Sequence, residues 1–509
     1  MSIKDKKITL PRCIGYGLVD IMGGGAFTII GAFLLFFYTT YCGLTPIQGA
    51  SIVAVARFVD AIASLFIGSI SDNFYKTKLG KIFGRRRFFL LIGAPLMAIY
   101  VLIWTIGMNY WFYLSCYLLF EIVAAMVLIP WETLPTEMTT NYSDRTKIST
   151  CRLVISSLGQ FLGTFVPAQL IGHFGQKNPY AYFYNGLFFA ILYAICIFIT
   201  YKATWEREIT PAMEQELLAA SQSKGNKNFS DYLKVLGEYA STFKLKSFRK
   251  HLGLYLLSFT AGDIFNAVFL FFCVYNLKVS SSFGAYLLSF SIIGIPGTII
   301  GGILFLKLGP TKLYKITYTF MILSVLAYYG VYLADPAAKT AILLGISIVY
   351  FAFRSLAVLT PWTVFPFIPD VDEIVSMKRR EGLFAAVMTF TRKSTVALAT
   401  FLIGVVLQEG GFVKGQDVQS PQTVQIIGYV LLIGCVGLFA LSLVLAFTFK
   451  LNKETHQILI DEVERLKNGG SKDDVDSNTK EVVESLTGYK YENVWKQNLT
   501  QDNLMNSIS

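Results

Sequence analysis

The sequence predicts an all-α polytopic membrane protein, with twelve transmembrane helices in two pseudo-symmetric six-helix bundles. Three observations lead there. Of 509 residues, 54% are apolar and only 15% charged, whereas a soluble domain carries about 25% charged residues. Apolar runs of membrane-crossing length recur from near Cys13 to near Lys450. The loops between them alternate between basic and almost uncharged. A soluble enzyme and a disordered chain are excluded at once.

The opening MSIKDKKITLPR is basic and runs into an apolar stretch without a small-residue cleavage site. That stretch, 14–41, is expected to be a retained first span and not a signal peptide. Spans at 47–71, 88–107, 110–132, 150–172 and 181–201 complete an N-terminal bundle, residues 1–201. A polar central loop, 202–251, leads to spans at 252–276, 282–306, 313–333, 339–365, 383–408 and 424–449, the C-terminal bundle of residues 252–449. They are read as helices because lipid offers backbone groups no partner outside a helix or a closed barrel. Barrel strands alternate in polarity, and a run such as ILYAICIFITY does not. The remaining 450–509 is a soluble tail: an amphipathic stretch NKETHQILIDEVERLKN, a linker GGSKDDVDSN, and a second short helix TKEVVESLTGYKYENVW. It is expected to pack on the cytoplasmic face of the bundles.

Charge sets the expected orientation. The loop DNFYKTKLGKIFGRRR holds Lys76, Lys78, Lys81, Arg85, Arg86 and Arg87, and SDRTK, KLGPTKLYK and SMKRREG are basic too. The alternate loops GLTPIQG and TIGMNY are nearly neutral. By the positive-inside rule both termini and the central loop are cytoplasmic in a multi-pass protein of the cell membrane. The net charge of +11 then reflects topology and requires no nucleic acid. The seven cysteines are scattered without a CxxC, and His173, His251 and His456 lie at or beyond span ends, so neither a disulfide framework, a metal site nor a cofactor is expected.

Two matches indicate duplication. LFFYTTYCGL at 35–44 in the first span pairs with LFFCVYNLKV at 270–279 in the seventh, and IPWETLP at 129–135 pairs with TPWTVFP at 360–366. Six helices plus six related by a repeat is the layout of alternating-access carriers, which bind substrate between the halves near mid-membrane.

Charges inside the spans are the candidate site. Each costs about 3 kcal/mol at a helix centre, so each needs a partner, a cavity or a function. Asp20 lies in the first span, Arg57 and Asp60 one turn apart in the second, Glu121 in the fourth, Asp263 in the seventh and Arg354 in the tenth. Arg392 and Lys393 lie deep in the eleventh. A buried carboxylate can bind a proton or Na⁺, with a lysine or arginine opposite to hold it when the cation has left. Lys393 is expected to face Asp20 or Asp60 across a polar cavity. In a second reading Arg57 with Asp60, and Glu121 with Arg354, are structural ion pairs. Gly23, Gly24 and Gly25 follow no strand and are read as a close helix contact, not a phosphate loop.

YGLVD at 16–20, RFVDA at 57–61, the SDNFYKTKLGKIFGRRRF loop, IPWETLPTEMT at 129–139, YSDRTKISTCR at 142–152, KRREGLF at 378–384 and TRK at 391–393 resemble the glycoside–pentoside–hexuronide:cation symporter family. That family, which includes the melibiose permease, belongs to the major facilitator superfamily, and the resemblance runs from about residue 10 to 450. It implies the major facilitator fold and import of a sugar, glycoside or hexuronide with Na⁺, Li⁺ or H⁺. By position, Asp60 matches the first of two second-helix aspartates of the cation site. Arg152 and Lys393 match the cavity arginine of the fifth helix and the central lysine of the eleventh, and Thr389 a substrate-side polar position.

There are departures from the family pattern. Ser64 stands where the melibiose carrier has its second aspartate, Ala63 at its asparagine and Ala125 at its fourth-helix threonine. Gly25 and Leu128 replace the sugar-binding carboxylates, and Glu132, beside Trp131, replaces the stacking tryptophan. Asp20 is the acid that can substitute on the first helix. Taking the matches, the departures and the intramembrane charges together, the expected cation-coupling residues are Asp60, Asp20 and Ser64, and the expected substrate-binding residues are Asp20, Arg152, Lys393, Thr389, Trp131, Glu132 and Arg392. Asp72 with Arg85, Arg86 and Arg87 is the expected cytoplasmic gate. A lone carboxylate favours H⁺ over Na⁺, which wants several oxygen ligands. With Arg152, Arg392 and Lys393 retained and fewer acids, the cavity is expected to lean positive and suit an anionic sugar, with a neutral oligosaccharide or pentoside equally open. The expected partners are a small sugar or glycoside and the bilayer, in a monomer. A lysolipid-type carrier of the same superfamily, or an exchanger without tight coupling, is the alternative. No nucleophile–base set or filter sequence points to an enzyme or a channel.

Overall fold

Apolar runs set the lengths of the helices, and polar residues at their ends set where each begins. The structure, a computed structural model, describes residues 7–139, 141–207, 237–378 and 380–495, apart from the side chains of Leu65, Ser69, Asp72, Tyr142, Ser143 and Thr146. The first half holds α1 (Leu10–Thr40), α2 (Pro46–Asn73), α3 (Arg87–Leu102), α4 (Tyr110–Met138), α5 (Tyr142–Phe174) and α6 (Tyr180–Ala203). The second holds α7 (Lys246–Asn276), α8 (281–308), α9 (310–334), α10 (Lys339–Val364), α11 (Glu381–Glu409) and α12 (Pro421–Thr448). Ten of the described helices are long and apolar enough to cross a membrane. One of these, Ser281–Ala334, is two spans: the chain turns at Gly309, whose φ of 74° suits a residue without a Cβ. The shorter α3 makes twelve.

Caps explain the starts. Thr45 and Gln48 form a reciprocal capping box ahead of Pro46. Asn109, Asn141, Ser280 and Ser420 each accept a backbone N–H of the first turn of their helix. Several bounds differ from the sequence reading. α5 starts at Tyr142 and not 150, and α7 at Lys246 and not 252, because hydropathy marks where lipid begins and a helix continues into water. α3 stops at Leu102 and not 107: Pro95 cannot donate to its own helix, and regular helix lapses after Leu96.

Small residues bring α1 against α5. A Cβ on Gly24 would lie 2.5 Å from the Ser156 carbonyl oxygen, one on Gly25 2.9 Å from that of Gly159, and one on Gly159 2.8 Å from Ile21 Cα. This is the close helix contact expected for the glycine run, and it sets Asp20 beside Arg152. Each half's first helix also contains a π segment, Ile30–Leu34 in α1 and Phe272–Asn276 in α7. Phe36 and Phe271, next to these segments, meet edge to face across the two halves at 5.1 Å.

The halves meet along α2 with α11 and α5 with α8. Far from the termini they are tied by backbone-rich contacts: Gly415 N–H to Thr39 O, Ser281 N–H to Gln176, Ser282 Oγ to Ala168 O, and Ile47 N–H to Gln408. Gly404 of α11 packs where a side chain would strike Ala50 and the Pro46 carbonyl.

The tail forms α13 (Lys453–Lys467) and α14 (Ser477–Thr487). Both lie on the second half. His456 Nε2 contacts Asp370 at 2.9 Å, Lys467 pairs with Glu373 at 2.6 Å, Ser247 Oγ donates to Leu486 O, and Trp495 N–H donates to Ile374 O. The short helix Ile368–Ser376, between α10 and α11, is thereby clamped from below. Asp476 caps α14, and hydrogen bonds from the Thr479 hydroxyl and backbone hold its carboxyl below the usual range.

Candidate functional site

Among the described residues, four groups of paired charges occupy the membrane interior. The one between the halves is built by α2 and α11. Lys393, twelve residues or about 18 Å into α11, places Nζ 2.7 Å from Asp60 Oδ2 and 2.9 Å from Ser64 Oγ. Ser64, one turn after Asp60, donates to Asp60 Oδ1 at 3.1 Å. The Asp60 side chain is 8% exposed and that of Lys393 26%, so the acid is sequestered and the base reaches toward open space.

A second cluster lies in the first half. Arg152 Nε donates to Asp20 at 3.0 Å and its Nη2 to Glu132 at 2.8 Å, while its guanidinium lies 4.5 Å over the Trp131 ring. Glu132 is half exposed and Asp20 is buried. Trp131 itself is fully buried: Tyr16 stacks on it at 5.0 Å and its indole N–H donates to Tyr16 O. The ring therefore supports Arg152 and leaves no free face for a sugar, which differs from its expected place in the substrate set. Thr389 is exposed, one turn from Lys393.

The third cluster belongs to α7 and α11, where Arg392 makes a two-pronged pair with Asp263 at 2.5 and 2.8 Å. Deeper in the first half, Arg57 faces Glu121 at 3.4 Å with Phe27 4.4 Å beneath its guanidinium. The pairing of Arg57 with Asp60 and Glu121 with Arg354 is thus corrected. Helical side chains lean toward the N-terminus of their helix, which carries Arg57 away from Asp60 and toward α4. The positive lean expected of the cavity also changes: Arg152, Arg392 and Lys393 each contact a carboxylate.

The basic loop is tied into its own half. Arg85 Nη2 meets Glu137 at 2.6 Å and Arg86 Nη1 meets it at 3.1 Å, while Arg87 donates to Tyr201 O. Glu206 accepts the consecutive backbone N–H groups of Arg85, Arg86 and Arg87 at 2.9, 2.9 and 2.6 Å, an anion at the start of α3. Glu137 and Glu206 escaped the sequence reading, because a glutamate near a loop is unremarkable until its partners are known. Asp72 lies near the end of α2, and its expected contact with the arginines falls outside the described side chains. Replacing Glu137 by alanine leaves Arg85, 7% exposed, without its acid, a loss of roughly 3–5 kcal/mol. The expected outcome is a lower melting temperature in detergent and a smaller monodisperse fraction on size exclusion, with Glu137→Gln intermediate. Unchanged melting of Glu137→Ala would show the pair to be a solvated one.

With this geometry in view, a family model described as MFS/sugar transport protein matches residues 15–453. The chain belongs to that family. The chain is 23% identical over 88% of its length to the isoprimeverose transporter of Lactiplantibacillus pentosus, which is 90% covered. It is 22% identical over 91% of its length to the glucuronide carrier protein homolog of Escherichia coli (strain K12), which is 97% covered. A solved D-xylose-proton symporter superposes with a TM-score of 0.58 at 13% identity, covering 85% of this chain and 97% of that one, which shows a common fold. The resemblance read from the motifs and the major facilitator fold are therefore both borne out. As a member of that family, the chain is a multi-pass membrane protein that moves a solute and is not an enzyme.

Proposed function

We propose that this transporter imports a sugar, glycoside or hexuronide together with a proton, by alternating access of a cavity between its halves. The observation that carries the reading is the Asp60–Lys393 pair, because it joins the halves at mid-membrane and is made of the one kind of contact a proton can dissolve. With Asp60 charged, the ammonium holds α2 to α11. Protonation removes the attraction and frees Lys393 for a substrate hydroxyl or oxyanion. Among described side chains only Ser64 adds a hydroxyl oxygen to Asp60, and a hard metal cation wants several oxygens. Lys393 Nζ contacts the other carboxylate oxygen, Oδ2, at 2.7 Å. These points favour H⁺ over Na⁺.

The sugar class rests on the family and on relatives named for isoprimeverose and for a glucuronide. Asp20, Glu132 and Arg152 supply acceptors and donors suited to hydroxyls, and such a lining disfavours a lysolipid tail. By the positive-inside rule both termini face the cytoplasm. The ties at the opposite end then correspond to a state closed to the outside.

Proteoliposomes enclosing a pH dye test the coupling. Addition of a transported glycoside to the outside is expected to acidify the lumen as protons enter with it, and an imposed inward proton gradient to drive accumulation without Na⁺. Uptake stimulated strongly by Na⁺ at fixed pH, and indifferent to a pH gradient, would overturn the proton assignment.

A further inference from the structure

We infer that Arg354 receives an oxyanion of the substrate, a carboxylate or sulfonate carried by the sugar, and so determines specificity for anionic glycosides. The inference rests on the transport reading above and extends it to a residue outside the substrate set that the motifs indicate.

Every other charge placed above in the membrane interior touches an opposite charge: Asp20 and Glu132 touch Arg152, Glu121 touches Arg57, Asp60 touches Lys393, and Asp263 touches Arg392. Arg354, ten residues before the end of α10, has no carboxylate within ion-pairing distance among the described residues. Its Nη1 is buried and lacks a hydrogen-bond partner. A guanidinium is always charged, and a charge left alone in this setting is costly.

The site around it is shaped. The guanidinium lies flat on α7 at Gly262, where a Cβ would be 2.3 Å from Cζ and from both terminal nitrogens. The next residue, Asp263, is committed to Arg392. One turn earlier, the Phe259 ring lies 5.9 Å from the Arg354 guanidinium and 5.2 Å from that of Arg392. Two guanidinia thus flank one phenyl ring, and only one has an acid.

The formal charges follow from this. Arg354, Arg392 and Asp263 sum to +1 on the second half, Asp20, Glu132 and Arg152 to −1 on the first, and the other two pairs to zero. At these groups the two halves therefore carry net formal charges of opposite sign. A sugar whose hydroxyls face Asp20 and Glu132 directs its oxyanion to Arg354, whose planar fork matches such a group.

The test compares purified wild type with Arg354→Gln, Arg354→Lys and Gly262→Ala in lipid nanodiscs. Binding is measured calorimetrically for methyl β-D-glucuronide, its 6-sulfo counterpart and the uncharged methyl β-D-glucoside. Wild type is expected to bind one or both anions more tightly than the glucoside, and which of the two identifies the oxyanion. Arg354→Gln should weaken anion binding roughly tenfold to a hundredfold, the scale of a lost charged hydrogen bond, with glucoside binding unchanged. Gly262→Ala displaces the guanidinium while keeping its charge and should act in the same direction, with Arg354→Lys in between. If Arg354→Gln is not monodisperse, these two variants decide. A wild-type affinity ratio retained in the variants, or a wild type that prefers the glucoside, overturns the inference and leaves the sugar reading standing. Failure of wild type to bind any of the three probes overturns that reading, and the inference with it.

Discussion

Lys393→Ala is expected to abolish concentrative uptake while leaving the amount of protein in the membrane near normal. Lys393 is the cation that faces Asp60 across the halves, and with it gone the acid keeps only Ser64. A sequestered carboxylate without its cation costs roughly 3–5 kcal/mol. If even half of that falls on the return of the empty carrier, the step slows by at least about tenfold. Expression should survive because the lysine end of the pair is a quarter exposed, so its loss opens no hole in a packed core. Whole-cell uptake against a gradient, normalised to surface protein, is the measurement, and wild-type accumulation in the variant would sink the assignment. The double variant with Asp60→Asn supplies a second check: with neither charge left alone, substrate exchange should recover beyond the single Lys393→Ala level.

Asp60→Asn should separate two activities. Exchange of labelled for unlabelled substrate needs only the loaded carrier to reorient, and an asparagine keeps the shape of the acid and its contact with Ser64. Uphill accumulation needs a group that gains and loses a proton in each cycle, and the amide does not. The expected result is exchange within a few-fold of wild type and an accumulation ratio near one under an imposed pH gradient. Retained uphill accumulation would move the coupling site elsewhere, with Asp20 the next acid to test.

How much of this could be read before the structure varied by the kind of signal. Asp60, Lys393, Asp263 and Arg392 stood out because a charge in an apolar run is rare and costly, and that property needs no coordinates. Their pairing did not follow from spacing. Arg57 and Asp60 are three apart on one helix, which brings side chains together on an isolated helix, yet Arg57 serves Glu121 and Asp60 serves Lys393. The decision was made by how α2 crosses α4 and α11, a property of packing that no local pattern encodes. Trp131 shows a similar limit. Its place beside a substrate position was visible, but Tyr16 and Arg152 cover it from either side. Helix bounds failed at the water boundary for a simpler reason: the helices of α5 and α7 continue through charged residues that hydropathy counts as loop.

The Asp60–Lys393 bridge also has an electrical meaning. Acid and base sum to zero, so on the proposed coupling an empty carrier that turns over with the bridge intact carries no net charge across the bilayer at this level. A bound proton unbalances the ammonium. Reorientation in that state moves one elementary charge, worth about 2.3 kcal/mol per 100 mV. With a neutral sugar, the membrane potential then drives the loaded stroke and leaves the return stroke alone. A singly anionic sugar cancels the proton's charge and makes both strokes electrically silent. The current per transported molecule, recorded on a supported membrane, thus reports the charge of the cargo before the cargo itself is identified.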